Sequence, residues 1–297
     1  MPSDPSPGCE ALPALSRLAV EPLIRAALLE DVGRGGDITT DAIVAPETQA
    51  RALLVARRPG VVAGSFAALL AFELLDARAT FDLAAGDGAR VGEGATIAAV
   101  HASARALLTA ERTALNLLGR LSGIATATRA LVDAIAGTGA RIVDTRKTTP
   151  GLRTLEKYAV RCGGGSNHRF GLDDAVLIKD NHLALAPSVR AAVRAVRERV
   201  GHMVKVEIEV DTLEQLREAL DEPIDAVLLD NMSPAQLREA VALVNRRVLT
   251  EASGGVRPEN VAEIARTGVD LISVGYLTHG APALDVGLDV VLDERYR

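Results

Sequence analysis

The sequence predicts an α/β protein in two parts: a separate α+β region, then a parallel barrel two strands short of the usual eight. Three observations carry this. From residue 141 onward, short runs rich in Val and Ile alternate with polar breaks and amphipathic stretches, the rhythm of repeated βα units. The region before residue 120 lacks that rhythm. At 297 residues, 48% of them hydrophobic, the chain is long enough to bury one large core or two ordinary ones.

Taken in order, the first elements are a helix "EPLIRAALLEDVG", strands around "ETQARALLVARRPGVVAG", a helix "SFAALLAFELLD" and the Gly-punctuated "FDLAAGDGARVGEGATIAAV". A long amphipathic helix follows over residues 103–121. The barrel strands are predicted at 141–145, 175–179, 204–210, 226–230, 248–253 and 271–275. Between them lie helices "APSVRAAVRAVRERV", "TLEQLREAL", "SPAQLREAVALVN" and "RPENVAEIARTG", several opened by Ser, Thr or Pro as a cap or first-turn residue. Strand runs bounded by helices favour a parallel sheet covered on both faces.

Composition excludes several classes. A net charge of −6, 2% aromatic residues and no Trp argue against a nucleic-acid partner, which calls for cationic surface and stacking rings. Two cysteines, Cys9 and Cys162, allow at most one disulfide, and a chain this long needs none. The opening "MPSDPSPGCE" has neither a basic start nor an apolar run, and reads as a disordered leader over residues 1–19. No window approaches the roughly 18 apolar residues of a membrane span. The expectation is a cytoplasmic protein without a membrane partner.

In such a barrel, chemistry gathers at the C-terminal ends of the strands. The first strand there delivers Asp144, Thr145, Arg146 and Lys147, the second Lys179, the third Glu209, and the fourth Asp230. The fifth ends in Ser253, Gly254 and Gly255, and the sixth contributes Ser273 and Gly275, with His279 close behind. A merely solvated rim would be polar at both strand ends, yet the beginnings are plain apart from Arg141 and Lys205. All four lysines of the chain, Lys147, Lys157, Lys179 and Lys205, fall in this half, in a sequence that otherwise prefers Arg. Lys157 and Lys205 are read as surface residues.

Residues 144–170 hold seven Lys, Arg or His side chains, an odd concentration for an acidic chain. Arg146, Lys147, His168, Arg169 and Lys179 together suit an anion of high charge. Glu209 and Asp230, on neighbouring strands, offer the hard oxygen ligands that Mg²⁺ takes when bridged to phosphate; as an alternative, Asp230 would cap the helix that follows. The turns "SGG" and "VGYLTHG" let backbone N–H groups approach a phosphate.

The run "AERTALN", "DTRKTTPGLR", "EKYAV", "NHR", "LIKDNH", "VEIEV", "LLDNMSP", "EASGG" and "SVGYLTH", with "LLEDVGRGGDITTDAI" near the start, resembles the quinolinate phosphoribosyltransferase family over nearly the whole chain. The resemblance implies an N-terminal α/β sandwich, here 20–120, an incomplete six-stranded α/β barrel, 121–277, and a segment 278–297 that returns to the sandwich. It implies a homodimer, or a larger oligomer, that transfers phosphoribose from phosphoribosyl pyrophosphate to quinolinate with Mg²⁺ and loss of CO₂. Carried over, quinolinate falls to Thr145, Arg146, Lys147, His168, Arg169 and Lys179, with Arg112 reaching in from the partner subunit. Glu209 and Asp230 take metal and ribose. Lys147, Lys179, Glu209 and Asp230 are the catalytic set, and Ser253, Gly254, Gly255, Ser273, Gly275 and His279 hold phosphate.

Three rivals remain at this stage. Lys179 would suit a Schiff-base aldolase. The segment "AAGDGARVGEGATIAAV" looks like a carrier-domain hairpin, but no Lys occurs between residues 58 and 146 to bear a cofactor. A relative of the same fold would act on another heteroaromatic acid or a molybdenum-linked substrate.

Overall fold

The computed structural model describes residue 12 and residues 15–291. Most of the leader, residues 1–11, 13 and 14, lies outside them, as do Cys9 and residues 292–297. The first helix begins at Arg17, inside the span set aside as leader. The chain divides into two compact units.

One unit runs to Thr126 and adds Thr154–Gly163 and the chain from Pro282. Its sheet is antiparallel, in the order Val286–Val291, Gln49–Ala56, Thr96–Ser103, Thr80–Leu83. The helix expected over 103–121 spans Ala104–Ala134. Gly123 within it packs so closely on the Pro282 carbonyl that any Cβ would collide. The unit also claims the helix Arg153–Cys162, cut from the middle of the cation-rich stretch. Lys157 on that helix is only 3% exposed, so it is no surface residue. Neighbouring Glu156 is fully buried and takes hydrogen bonds from the Arg120 guanidinium at 3.1 and 2.8 Å. Burial, reinforced by Asp87, pushes the Cys162 thiol up to about 12, which leaves it unreactive.

The other unit, Ala127–Arg153 with Gly164–Ala281, holds a six-stranded parallel sheet. In chain order the strands are Arg141–Val143, Val176–Ile178, Val206–Val210, Ala226–Asp230, Leu249–Ser253 and Leu271–Ser273. The second to sixth pair successively, and the first pairs with the sixth. The barrel is therefore open between first and second strands, where Ser166 makes one parallel bridge to Val143. The helices between strands start as their sequences dictate. Ser188, Thr212 and Ser233 each accept a hydrogen bond from the backbone N–H three residues on, with Pro234 in the first turn of the third. Alternation does the rest: Val206, Ile208 and Val210 are buried, leaving Glu207 and Glu209 together on the opposite face of the third strand.

Candidate active site

All six strands send residues into one cavity of about 300 Å³, lined by Thr145, Arg146, Lys147, His168, Arg169, Leu177, Lys179, Glu209, Leu228, Asp230, Glu251, Ser253 and Ser273. Only a curled sheet can converge in this way. A second cavity of about 830 Å³ shares Thr145, Lys147, Asp230, Ser253 and Ser273 with it, and extends over Gly254, Gly255, Arg257, Gly275 and His279. Every barrel residue expected above to hold substrate, metal or phosphate lines one or the other, whereas Asp144 lines neither. Nor does Arg112. It lies exposed in the first unit, beside a hollow shared with Asp37 and Thr109.

The loop that carries His168 and Arg169 is tied to the first strand by Asp144. This buried carboxylate accepts from the Asn167 amide at 2.6 Å and from His168 N–H at 2.9 Å, while Ser166 N–H donates to the Ile142 carbonyl. Gly164 takes φ +88° beneath the Arg129 guanidinium, so the glycine run is a shaped turn rather than a loose one. Arg169 donates to the Ala175 carbonyl at 2.8 Å. Burial, and then the like charge of Arg146, lower the Arg169 pKa, an environment that favours an arriving anion. The Nε atoms of both Arg146 and Arg169 are buried without a hydrogen-bond partner.

Glu209 and Asp230 stand at the ends of paired strands and line the same cavity. Burial raises the Glu209 pKa, Lys179 opposes this, and the negative charge of Asp230 adds to it. Two hard oxygen donors that repel each other at a substrate cavity fit a divalent cation such as Mg²⁺. Asp230 is not the helix cap, since Ser233 fills that role. Gly254 has φ +95°, and a Cβ there would collide with the Asn231 side chain. At Gly275 a Cβ would meet Lys147 Cδ at 3.0 Å and His279 Nε2 at 3.5 Å, which puts both side chains against one bare stretch of backbone.

Three groups escaped the sequence reading. Arg257 joins the larger cavity, and its signal was a cation two residues beyond the glycine turn. Glu207 and Glu251 meet His168, with all three ligand atoms within 4.8 Å of one another. Their signal was an acid in the interior of a strand rather than at its end.

Comparison with known families decides the kinship. The C-terminal domain of quinolinate phosphoribosyl transferase matches residues 124–289, and its N-terminal domain matches residues 37–122. This chain belongs to the quinolinate phosphoribosyltransferase family. Among curated members of the quinolinate phosphoribosyltransferases, the nicotinate-nucleotide pyrophosphorylase [carboxylating] of Mycobacterium leprae is 50% identical, covering 92% of this chain and 97% of the relative. A probable nicotinate-nucleotide pyrophosphorylase [carboxylating] of Bacillus subtilis is 45% identical, over 94% and 96%. The crystal structure of NadC from Streptococcus pyogenes superposes with a TM-score of 0.90 at 40% identity, covering 94% of this chain and all of that one. The expected pairing of a small sheet with a six-stranded α/β barrel is the architecture found. No helix among the described residues is long and apolar enough to cross a membrane.

Proposed function

We propose that this chain transfers the phosphoribosyl group of phosphoribosyl pyrophosphate to quinolinate, releasing pyrophosphate and CO₂ and forming nicotinate mononucleotide for NAD biosynthesis. One observation carries the assignment to residues: a small cavity with the partnerless Nε atoms of Arg146 and Arg169 adjoins a larger one floored by glycine turns. The first is sized for an aromatic diacid, the second for a sugar phosphate.

Arg146 and Arg169 meet the two carboxylates. Each charge-assisted hydrogen bond contributes about 1.5–3 kcal/mol, so two guanidinium forks select a diacid over nicotinate. Ser253, Gly254, Gly255 and Gly275 present backbone and hydroxyl groups to phosphate, with Lys147 supplying charge and His279 a hydrogen bond. As the C1–O bond breaks, positive charge grows on the ribose facing Glu209 and Asp230. Glu209 and Asp230 would hold Mg²⁺, which when bound supplies charge neutralisation for the departing pyrophosphate. The pyridine nitrogen captures C1 and becomes cationic. It then stabilises the electron pair left on C2 when CO₂ departs, and C2 takes up a proton. Lys147 and Lys179 oppose the build-up of negative charge at the mouth.

The deciding assay incubates the protein with phosphoribosyl pyrophosphate, Mg²⁺ and either quinolinate or nicotinate. Nicotinate mononucleotide should form from quinolinate alone, and equal turnover of nicotinate would overturn the reading. The same reading makes the enzyme a cytoplasmic homodimer whose Arg112 serves the neighbouring site. Mixing inactive Arg112→Ala with inactive Lys147→Ala chains should then restore activity, whereas confirmed but inactive heterodimers would confine each site to one chain.

A further inference from the structure

Glu251 lies in the interior of the fifth barrel strand, 1% exposed, on the face that lines the smaller cavity. Nothing in the proposed reaction uses it. Beside it stand two groups from other elements: His168, from the loop that Asp144 anchors, and Glu207, from the third strand. His168 Nε2 is 2.9 Å from Glu207 Oε2 and 3.6 Å from Glu251 Oε1. Only the first is a hydrogen bond. Glu207 Oε1 and Glu251 Oε1 are both buried with no hydrogen-bond partner.

The arrangement poses an electrostatic problem. Two carboxylates and one imidazole sit at the back of a cavity whose job is to attract a dianion. One imidazolium can neutralise one carboxylate, and Glu207 has the better geometry for it. A second buried carboxylate, ionised and left to share that one imidazolium from 3.6 Å, would carry a heavy desolvation penalty and would repel the incoming diacid besides. Groups in this position take a proton instead.

We propose that Glu251 is held as the neutral carboxylic acid behind His168, so that the cluster of His168, Glu207 and Glu251 presents no net charge to the bound diacid, and that ionisation of Glu251 weakens diacid binding at alkaline pH. The inference rests on the diacid pocket assigned above. It fits the surroundings on every side. Burial first, and then the like charge of Glu207, push the Glu251 carboxyl up to about 8. His168 and the Ser273 hydroxyl act in the opposite sense, and Asp144 adds a weaker push upward. Across the cavity stand the cations Arg146, Lys147, Arg169 and Lys179 and the acids Glu209 and Asp230. The same three ligand atoms are spaced as a metal site would be. A resident cation would keep both carboxylates ionised, so it is the opposite outcome rather than a variant of this one.

Carboxyl ¹³C NMR on glutamate-labelled enzyme, with no substrate present, tests the protonation by itself. One resonance should remain in the protonated position at pH 7, titrate near about 8, and be missing from Glu251→Gln. Glu207→Gln should move it toward the ordinary carboxylate range, because the like charge is gone. A wild-type spectrum in which no glutamate titrates above the ordinary range overturns the proposal, even if neither variant folds. So does a protonated resonance that appears only after Zn²⁺ is chelated from the purified enzyme. Calorimetric binding of quinolinate then reads the consequence. The Kd should rise up to tenfold per pH unit above the titration point, with uptake of one proton, and Glu251→Gln should flatten both. A slope unchanged in Glu251→Gln rejects the link to binding. If wild-type enzyme makes no product from quinolinate, the functional reading fails while the carboxyl spectrum still judges Glu251.

Discussion

At the N-terminal end of the parallel sheet, Asp225 accepts hydrogen bonds from Lys205 Nζ at 2.7 Å, from Arg197 Nη2 at 2.7 Å and from Val206 N–H at 2.9 Å. Next to it Asp270 takes both the N–H and the hydroxyl of Thr250, at 2.8 and 2.7 Å. At the other end of the same strands, Arg146 and Arg169 keep buried Nε atoms with no partner, and Glu209 faces Asp230 across a shared cavity. The hollow at the N-terminal end is larger than either cavity at the mouth, about 930 Å³ against about 830 and about 300 Å³. Volume alone therefore points to the wrong end. What separates the two ends is buried charge left unanswered: the acids at the N-terminal end already have donors and the further cations lining that hollow, Arg246 and Arg247, are exposed to solvent.

The sharpest way to break this contrast is to remove an acid at the mouth. Asp230→Asn should lower kcat/KM by about 10²- to 10³-fold, the scale of losing one preorganised electrostatic group, and should raise the Mg²⁺ concentration needed for half-maximal rate. An unchanged metal titration would remove Asp230 from coordination. Arg146→Ala comes next. Loss of even one charge-assisted hydrogen bond of about 1.5–3 kcal/mol corresponds to roughly 10- to 150-fold in the KM for quinolinate, with the KM for phosphoribosyl pyrophosphate little changed. Parallel losses for both substrates would mean that the two cavities are not divided as assigned.

Gly254→Ala sharpens the comparison from the backbone side. The residue needs φ +95° and has the Asn231 side chain against its Cα, so a methyl group both strains the turn and displaces Asn231. The KM for phosphoribosyl pyrophosphate should rise by about tenfold, on the order of the 1–2 kcal/mol that a left-handed non-glycine residue costs. Quinolinate affinity measured alone should hold. A variant that loses both equally would show that the turn supports the whole mouth rather than the phosphate.

Much of this division was legible in the residues. All six strands were predicted within a few positions, since a parallel strand covered on both faces has to be a short apolar run and its helices announce themselves by Ser, Thr and Pro. Polar residues at one set of strand ends then marked the mouth. What stayed hidden depends on contacts between residues distant in sequence. Lys157 reads as solvated by its type, yet tertiary packing buries it beside Glu156. The helix that starts at Ala104 runs on through Gly123, a residue the close packing of Pro282 requires and no local window explains. Glu207 and Glu251 lie inside strands rather than at their ends, so a rule about ends passes over them. Arg112 carries no local signal beyond its motif.

The smallest expected effect comes from the neutralised end. Burial tends to raise the Asp225 pKa, but hydrogen bonds from Lys205, the Val206 N–H and Arg197 outweigh it and bring the carboxyl down to about 2. Between the ordinary carboxylate range and that value the unfolded chain holds this proton and the folded chain does not, so acid favours unfolding through this group. Asp225→Asn should therefore melt lower than wild type at pH 7, by an amount on the order of 1 kcal/mol, since Lys205 is largely exposed and its pairing is screened. The gap should narrow as pH falls toward about 2, where the wild-type carboxyl also becomes neutral. Both KM values should stay at wild-type levels throughout. A gap that holds constant with pH would place the stabilisation in packing, and a shifted KM would mean that the two ends of the barrel are energetically coupled, which the separate charge accounting at each end does not allow.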